Sequence, residues 1–200
     1  MELSPRTAVV VALVLVVAVV SGGVLALDFE AANYETATSA TAASGGSNVD
    51  SLPPITEGVL VVDAPEAVRD DLTAALVESF AERGVTLEPT DTRGEDAEGP
   101  VVVVVVDEWG SRWNPVAPSG AVAWRAAFDA GGHERHVDAA LSGDPLVFES
   151  TDGPDLAGSV EASVESAGTG VVSRPAYRDH LVGVVADATA EQVVGQFPDR

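Results

Sequence analysis

An uninterrupted apolar segment, residues 7–27, constrains this chain more than any other feature, because its 21 residues include no charged side chain. As an α-helix, this segment would extend about 32 Å, which matches the roughly 30 Å hydrocarbon core of a bilayer. We therefore predict a transmembrane signal-anchor helix over residues 7–27 that contacts the lipid bilayer.

The charges that flank this segment predict its orientation. Arg6 precedes it, whereas Asp28 and Glu30 follow it, and cytoplasmic flanks of membrane helices are enriched in Lys and Arg. Residues 1–6 are therefore expected to be a short cytoplasmic N-terminus, with the rest of a single-pass membrane protein outside. The alternative is a cleaved signal peptide, with Val24 and Ala26 as the small residues of the cleavage site, which would make the protein secreted.

Residues 28–57 are predicted to form a disordered tether. They are rich in Ala, Ser, Thr and Gly and show no hydrophobic periodicity, so they have too little apolar surface to offset the entropy cost of ordering. The apolar runs that could build a core lie beyond this point. We therefore predict one extracytoplasmic α/β domain over residues 58–200.

The composition is strongly acidic, with 32 Asp and Glu residues against 10 basic residues and a net charge of −22. Such a surface is screened and remains hydrated at molar salt, which indicates a halophilic archaeon. It repels nucleic-acid phosphates, so nucleic acid is not an expected partner. The sequence contains no Cys and no Lys, which excludes thiolate catalysis, Cys-ligated metals and lysine chemistry.

The first half of the expected domain reads as strand, helix, strand, strand. Residues 58–63 are an apolar, β-branched strand, and Pro65 then opens a helix with an apolar stripe at four-residue steps. A short strand at 85–87 follows. The six consecutive valines at 101–106 need burial on both faces, which predicts a central strand in a mixed sheet.

The C-terminal half offers a second unit of the same order. A strand at 146–149, a helix that carries Leu156, Val160 and Val164 and stops at Gly168, and strands at 170–173 and 180–186 would repeat the βαββ arrangement. A final helix would begin at Thr189. Residues 121–141 between the halves fit either a helix or a β-hairpin. The adjacent glycines at 131 and 132 favour the hairpin, because a helix tolerates them poorly.

Carboxylates follow three of the expected strands. Asp63, Asp107 and Asp187 would converge at one edge of the sheet, where oxygen ligands could bind Mg²⁺ or Ca²⁺. The alternative is that they are ordinary polar strand ends in an acidic chain, with Asp63 capping a helix. His133, Glu134 and His136 are a weaker metal candidate, because a hairpin would direct the imidazoles to opposite faces and no third ligand is identifiable.

The segment after the valine strand carries Trp109, Arg112 and Trp113. Two indole rings beside a guanidinium could bind a sugar, another solute or an apolar group of a partner. The alternative is that the indoles cover the sheet and complete the core. We treat these three residues as candidate ligand-binding residues.

No catalytic motif is present: the sequence lacks Gly-x-Ser-x-Gly, His-Glu-x-x-His and phosphate-binding glycine loops. No cofactor is therefore expected. These observations favour a membrane-anchored extracytoplasmic binding or assembly accessory module with an envelope protein as partner. A metal-dependent hydrolase and a solute- or sugar-binding domain are the alternatives.

Overall fold

The computed structural model describes residues 30–90, 99–147 and 154–198. In these ranges the chain forms an α/β domain built on a six-stranded sheet. The strands are β1 (Glu30–Ser47), β2 (Glu57–Asp63), β3 (Thr86–Thr90), β4 (Val101–Arg112), β5 (Ser119–Asp129) and β6 (Asp155–Val172). The helices are α1 (Glu66–Glu82), α2 (Glu134–Ser142) and α3 (Arg174–Val194), and a short 3-10 turn spans Val49–Ser51.

The sheet is mixed, as the sequence predicts. Its strand order is β1-β6-β5-β4-β2-β3. The β3, β2 and β4 strands run parallel to one another, and α1 provides the crossover from β2 to β3. The β4, β5, β6 and β1 strands pair antiparallel. The parallel part and the antiparallel part therefore meet at β4.

The six valines of β4 are buried on both faces of the sheet, which confirms the sequence prediction of an interior strand. Val102, Val104 and Val106 lie in the larger core, which α1 and α3 cover. The alternate valines lie in a smaller core on the opposite face, against Val137 and Ala140 of α2. β4 therefore contributes β-branched side chains to both cores.

The tether prediction is wrong for residues 30–47, which form β1. This strand pairs with β6 in continuous antiparallel register from Glu30 opposite Val172 to Ser47 opposite Asp155. Most of its side chains are nevertheless exposed. Main-chain hydrogen bonds to β6 therefore order a segment that buries little apolar surface. The hydrophobic pattern of the sequence does not reveal these hydrogen bonds.

The predicted second βαββ unit is also absent from the described residues. Leu156, Val160 and Val164, expected on a helix, lie on one face of β6. A four-residue step satisfies both the helical period and the two-residue period of a strand. Residues 180–186, expected as a strand, lie within α3, which begins where the Ser173 side chain accepts a hydrogen bond from the Ala176 amide.

The hairpin predicted for residues 121–141 is half correct. Its first arm belongs to β5, but the chain after the glycine pair forms α2 rather than a returning strand. Gly132 adopts a left-handed conformation with φ of 67°, which favours glycine. The glycines therefore form a strand-to-helix turn, and β5 pairs with β4 and β6 instead.

The predicted transmembrane segment, residues 7–27, lies outside the described residues. Within the three described ranges, no helix combines the length and apolar character needed to cross a membrane.

Candidate functional site

A cluster of imidazoles and carboxylates lies where β5 ends and α2 begins. Asp129 is the last residue of β5, His133 precedes the first residue of α2, and His136 lies in the first turn of that helix. Asp155, the first residue of β6, lies beside them. The turn between β5 and α2 therefore folds two histidines back over the strand end.

The donor atoms of three of these residues converge. His133 Nδ1 lies 3.0 Å from Oδ1 and 3.1 Å from Oδ2 of Asp129. His136 Nδ1 also contacts Oδ2 of Asp129. One donor atom from each of the three residues lies within 4.8 Å of the others, the only such group of His, Asp and Glu side chains in the described ranges.

The cluster is largely buried. Asp129, His136 and Asp155 are 3%, 3% and 7% exposed, whereas His133 is partly exposed. The Gly131 amide donates a hydrogen bond of 2.7 Å to Asp129 Oδ1, which orients that carboxylate. His133 is therefore the member of this cluster that is most accessible to solvent.

Sequence reasoning identifies the two histidines here but neither carboxylate. The signal for Asp129 is its spacing of four residues before His133 and seven before His136. That spacing is informative only once the segment is known to turn from strand to helix. Asp155 reaches the cluster through the sheet pairing of β6 with β5, and no local sequence pattern marks it.

The structure does not bring Asp63, Asp107 and Asp187 together. Asp107 pairs with Arg125 at 2.6 Å on the face that α2 covers in part. Asp187 lies in α3, on the opposite face, where it accepts a hydrogen bond of 2.8 Å from Ser79 Oγ. Asp63 is exposed at the end of β2. Each carboxylate therefore has its own local environment.

The structure separates the three candidate ligand-binding residues. Trp109 and Trp113 are partly buried against a small core that includes Tyr177 and Leu181 of α3. The Trp113 indole also donates a hydrogen bond of 3.3 Å to the Val172 carbonyl. Arg112 is exposed and lines a groove over the other face of the sheet. The indoles cover the core, and Arg112 belongs to a different surface.

That groove lies on what we call the open face, the face of β1, β6 and β5 beyond the end of α2. Its volume is about 760 Å³. Small side chains dominate it, and the neighbouring strands contribute them in register: Ala37 lies opposite Glu165, and Glu165 lies opposite Ala121. Glu35, Glu165 and Arg112 provide the charges around the groove.

Comparison with known proteins supplies distant structural similarity alone. No protein family and no curated protein matches this chain. A variant of the PelC dodecamer from Paraburkholderia phytofirmans aligns at a TM-score of 0.37 and 10% identity, covering 80% of this chain and 100% of that chain. PelC in another crystal form gives 0.36 and 14%, covering 74% and 96%. The lipoprotein GNA1162 from Neisseria meningitidis gives 0.35 and 13%, covering 71% and 99%.

Proposed function

We propose that this chain is a membrane-anchored module on the outer side of the cytoplasmic membrane of a halophilic archaeon, where it binds and helps to assemble an envelope protein. The apolar segment at residues 7–27 supports the anchor, and the charge of −22 supports the saline environment. The observation that carries the binding role is the edge position of β1, which pairs with β6 alone among the strands of the described ranges.

β1 has the properties of a strand that accepts a partner. It contains 18 residues, which corresponds to about 60 Å of extended chain, and it occupies one edge of the sheet. No charged residue occurs between Glu35 and Asp50. Natural edge strands are normally protected by Lys, Pro, a bulge or short length. β1 contains no Lys or Pro, and its register with β6 is continuous.

The chemistry of the surface next to this edge indicates what the partner carries. Glu35, Glu161 and Glu165 are exposed on β1 and β6, on the same face of the sheet. A second copy of the chain would bring the same negative charges, whereas a neutral or basic segment would be attracted. We therefore assign as the partner another envelope protein that adds an extended, uncharged or basic segment to β1.

The test uses the full-length chain in its native membrane, cross-linked in intact cells. Ala37→Lys and Ala40→Lys place a charge on either face of β1, where each parent side chain is exposed. Both should abolish most of the cross-linking to a stoichiometric partner, because edge lysines block strand addition. Ala74→Lys is the matched control, since Ala74 is exposed on α1, and it should retain the partner.

Two results would overturn the proposal. Recovery of the chain with no stoichiometric partner, or with only a second copy of itself, would contradict the envelope-protein assignment. Finding the full-length chain freely soluble inside the cell would contradict the membrane location.

A further inference from the structure

We propose that Asp129, His133, His136 and Asp155 form a binding site for Zn²⁺ or a divalent transition-metal ion with the same ligand preference. This inference is independent of the β1 edge and of the proposed membrane anchor. It rests on the convergence of donor atoms, on the orientation of the His136 ring and on one buried carboxylate oxygen that has no hydrogen-bond partner in the described part of the chain.

The first argument concerns the orientation of the His136 ring. Its Nδ1 atom faces the Asp129 carboxylate, and its Nε2 atom lies 3.1 Å from the Val147 carbonyl oxygen and accepts a hydrogen bond of 3.4 Å from Arg135 Nε. The ring therefore presents one nitrogen to the cluster and the other to groups outside it. In a metal complex, Nδ1 would be the ligand atom and Nε2 would donate to the Val147 carbonyl.

His133 also directs a ring nitrogen into the cluster. Its Nδ1 atom faces both carboxylate oxygens of Asp129, at 3.0 and 3.1 Å, and lies 3.9 Å from Asp155 Oδ1. For tetrahedral Zn²⁺ with bonds of about 2.0–2.2 Å, neighbouring donor atoms are roughly 3.3 Å apart. The two separations between His133 Nδ1 and the Asp129 oxygens are shorter than that value, and the separation between His133 Nδ1 and Asp155 Oδ1 is longer. A metal-bound imidazole that donates its other nitrogen to a carbonyl is the usual supporting arrangement, and the position of Val147 beside His136 Nε2 would allow it.

The second, independent argument is Asp155. Its side chain is 9% exposed, and its Oδ1 atom has no hydrogen-bond partner among the described residues. A buried carboxylate oxygen without a donor is strongly unfavourable. His133 Nδ1 lies 3.9 Å from this oxygen, which exceeds hydrogen-bonding distance. That separation makes Asp155 the candidate fourth ligand beside Asp129 and the two imidazoles.

The donor set selects the class of metal. Two imidazole nitrogens with two carboxylates are typical of Zn²⁺ and neighbouring divalent transition metals, whereas Mg²⁺ and Ca²⁺ prefer oxygen ligands alone. The two carboxylates bring formal negative charge into a largely buried cluster, and a divalent ion would neutralise it. Gly131 keeps the site open for His133, because a Cβ atom there would lie 2.5 Å from the imidazole Cε1.

The test is metal binding by the full-length chain in detergent and molar KCl. Zn²⁺ is titrated against a chromophoric chelator, and X-ray absorption counts the imidazole ligands. The wild type should bind one Zn²⁺ with two imidazoles. His133→Gln and the milder Asp155→Asn should weaken binding at least tenfold, whereas His180→Gln, which changes the histidine outside the cluster, should leave the affinity unchanged.

Three results would overturn the inference. They are an absence of Zn²⁺ binding by the folded wild type, equal affinity in all four proteins, and an absorption spectrum without imidazole ligands. Circular dichroism of each variant establishes that it is folded. If His133→Gln fails to fold, Asp155→Asn still tests the site, because the substitution removes one charge at nearly constant side-chain volume.

Discussion

His180 of α3 stacks on Tyr34 of β1, with ring centroids 3.8 Å apart and ring planes inclined by 15°. The His180 Nε2 atom also lies 3.1 Å from Ser166 Oγ on β6. Burial lowers the pKa of His180, and the nearby Glu30 carboxylate opposes this shift. A neutral imidazole thus links the edge strand, its neighbour and the helix that covers them.

This relationship predicts a pH-dependent loss of stability on the acidic side. Because the pKa of folded His180 lies below the ordinary value of 6.5, unfolding takes up a proton as the pH falls through that value. The stabilisation is complete above about pH 6.5 and is lost progressively below it. His180→Phe keeps an aromatic ring but removes the titration. Its free energy of unfolding should therefore depend less on pH than that of the wild type between about pH 7 and pH 5.

Denaturant unfolding at several pH values in molar KCl measures this difference. Tyr34 does not titrate in that range, because burial and the Glu30 carboxylate raise the pKa of Tyr34 to about 12. Parallel pH profiles for the two proteins would contradict the assignment to His180.

A buried hydrogen bond should make Thr189 important for stability. The Trp124 indole donates to Thr189 Oγ1 at 2.8 Å, and that hydroxyl donates to the Val185 carbonyl at 2.7 Å. Thr189→Val preserves the shape but leaves the indole N–H without its acceptor, which should cost about 1–3 kcal/mol. Chemical denaturation measures the loss. Thr73→Val is the control, because the Thr73 hydroxyl bonds the Arg69 carbonyl on an exposed face, and it should change stability by less than about 0.5 kcal/mol.

Two glycines should respond in opposite directions to alanine substitution. Gly183 lies within α3, where an added Cβ atom would have no neighbour within 4 Å, so Gly183→Ala should stabilise the protein by about 0.5–1 kcal/mol. A Cβ atom at Gly158 would lie 2.5 Å from Phe128 Cε1 and 3.1 Å from the Ala43 carbonyl oxygen. Gly158→Ala should therefore destabilise it by about 1–3 kcal/mol. Thermal unfolding of the pair tests both signs.

Arg125 should hold the C-terminal end of α2 on the sheet. Its guanidinium donates hydrogen bonds to the carbonyls of Ala140, at 3.0 Å, and Leu141, at 3.2 Å, and also pairs with Asp107. Arg125→Lys keeps the charge but cannot make the forked contacts, so it should cost about 1–3 kcal/mol. Hydrogen exchange should show faster opening of α2.

The control for Arg125 is Arg178→Lys. Arg178 pairs with Asp71 and Asp179 in positions that are substantially exposed to solvent. Loss of that geometry should cost less than about 1 kcal/mol and leave exchange in α2 unchanged. Equal effects of the two substitutions would contradict a special contribution of the forked contacts that Arg125 makes.

The parts of the fold that the sequence predicts are those with an unambiguous hydrophobic pattern. Val68, Leu72, Leu76 and Phe80 mark one face of α1, and all four are buried as expected. The valines of β4 suit only an interior strand. By contrast, β1 is ordered by pairing with β6, which lies more than a hundred residues away. The composition of residues 30–47 does not indicate that they pair with β6.

The candidate metal cluster shows the same limit. His133 and His136 are recognisable in the sequence, but their value as ligands depends on whether helix or strand follows Gly132. Asp155 enters through the pairing of β6 with β5. Trp109 and Trp113 show the same limit. Their position after the valine strand is evident from the sequence, but they pack against α3. The sequence pattern predicts a strand for part of that helix.

The presence of Glu30 in β1 also has a geometric consequence. Between the hydrophobic stretch that ends at Leu27 and this strand lie two residues, Asp28 and Phe29. Two residues extend at most about 7 Å. An anchor ending at Leu27 would therefore hold the sheet at a short, nearly constant distance from the lipid and restrict its tilt. A binding partner would have to reach the sheet from the side, close to the membrane plane.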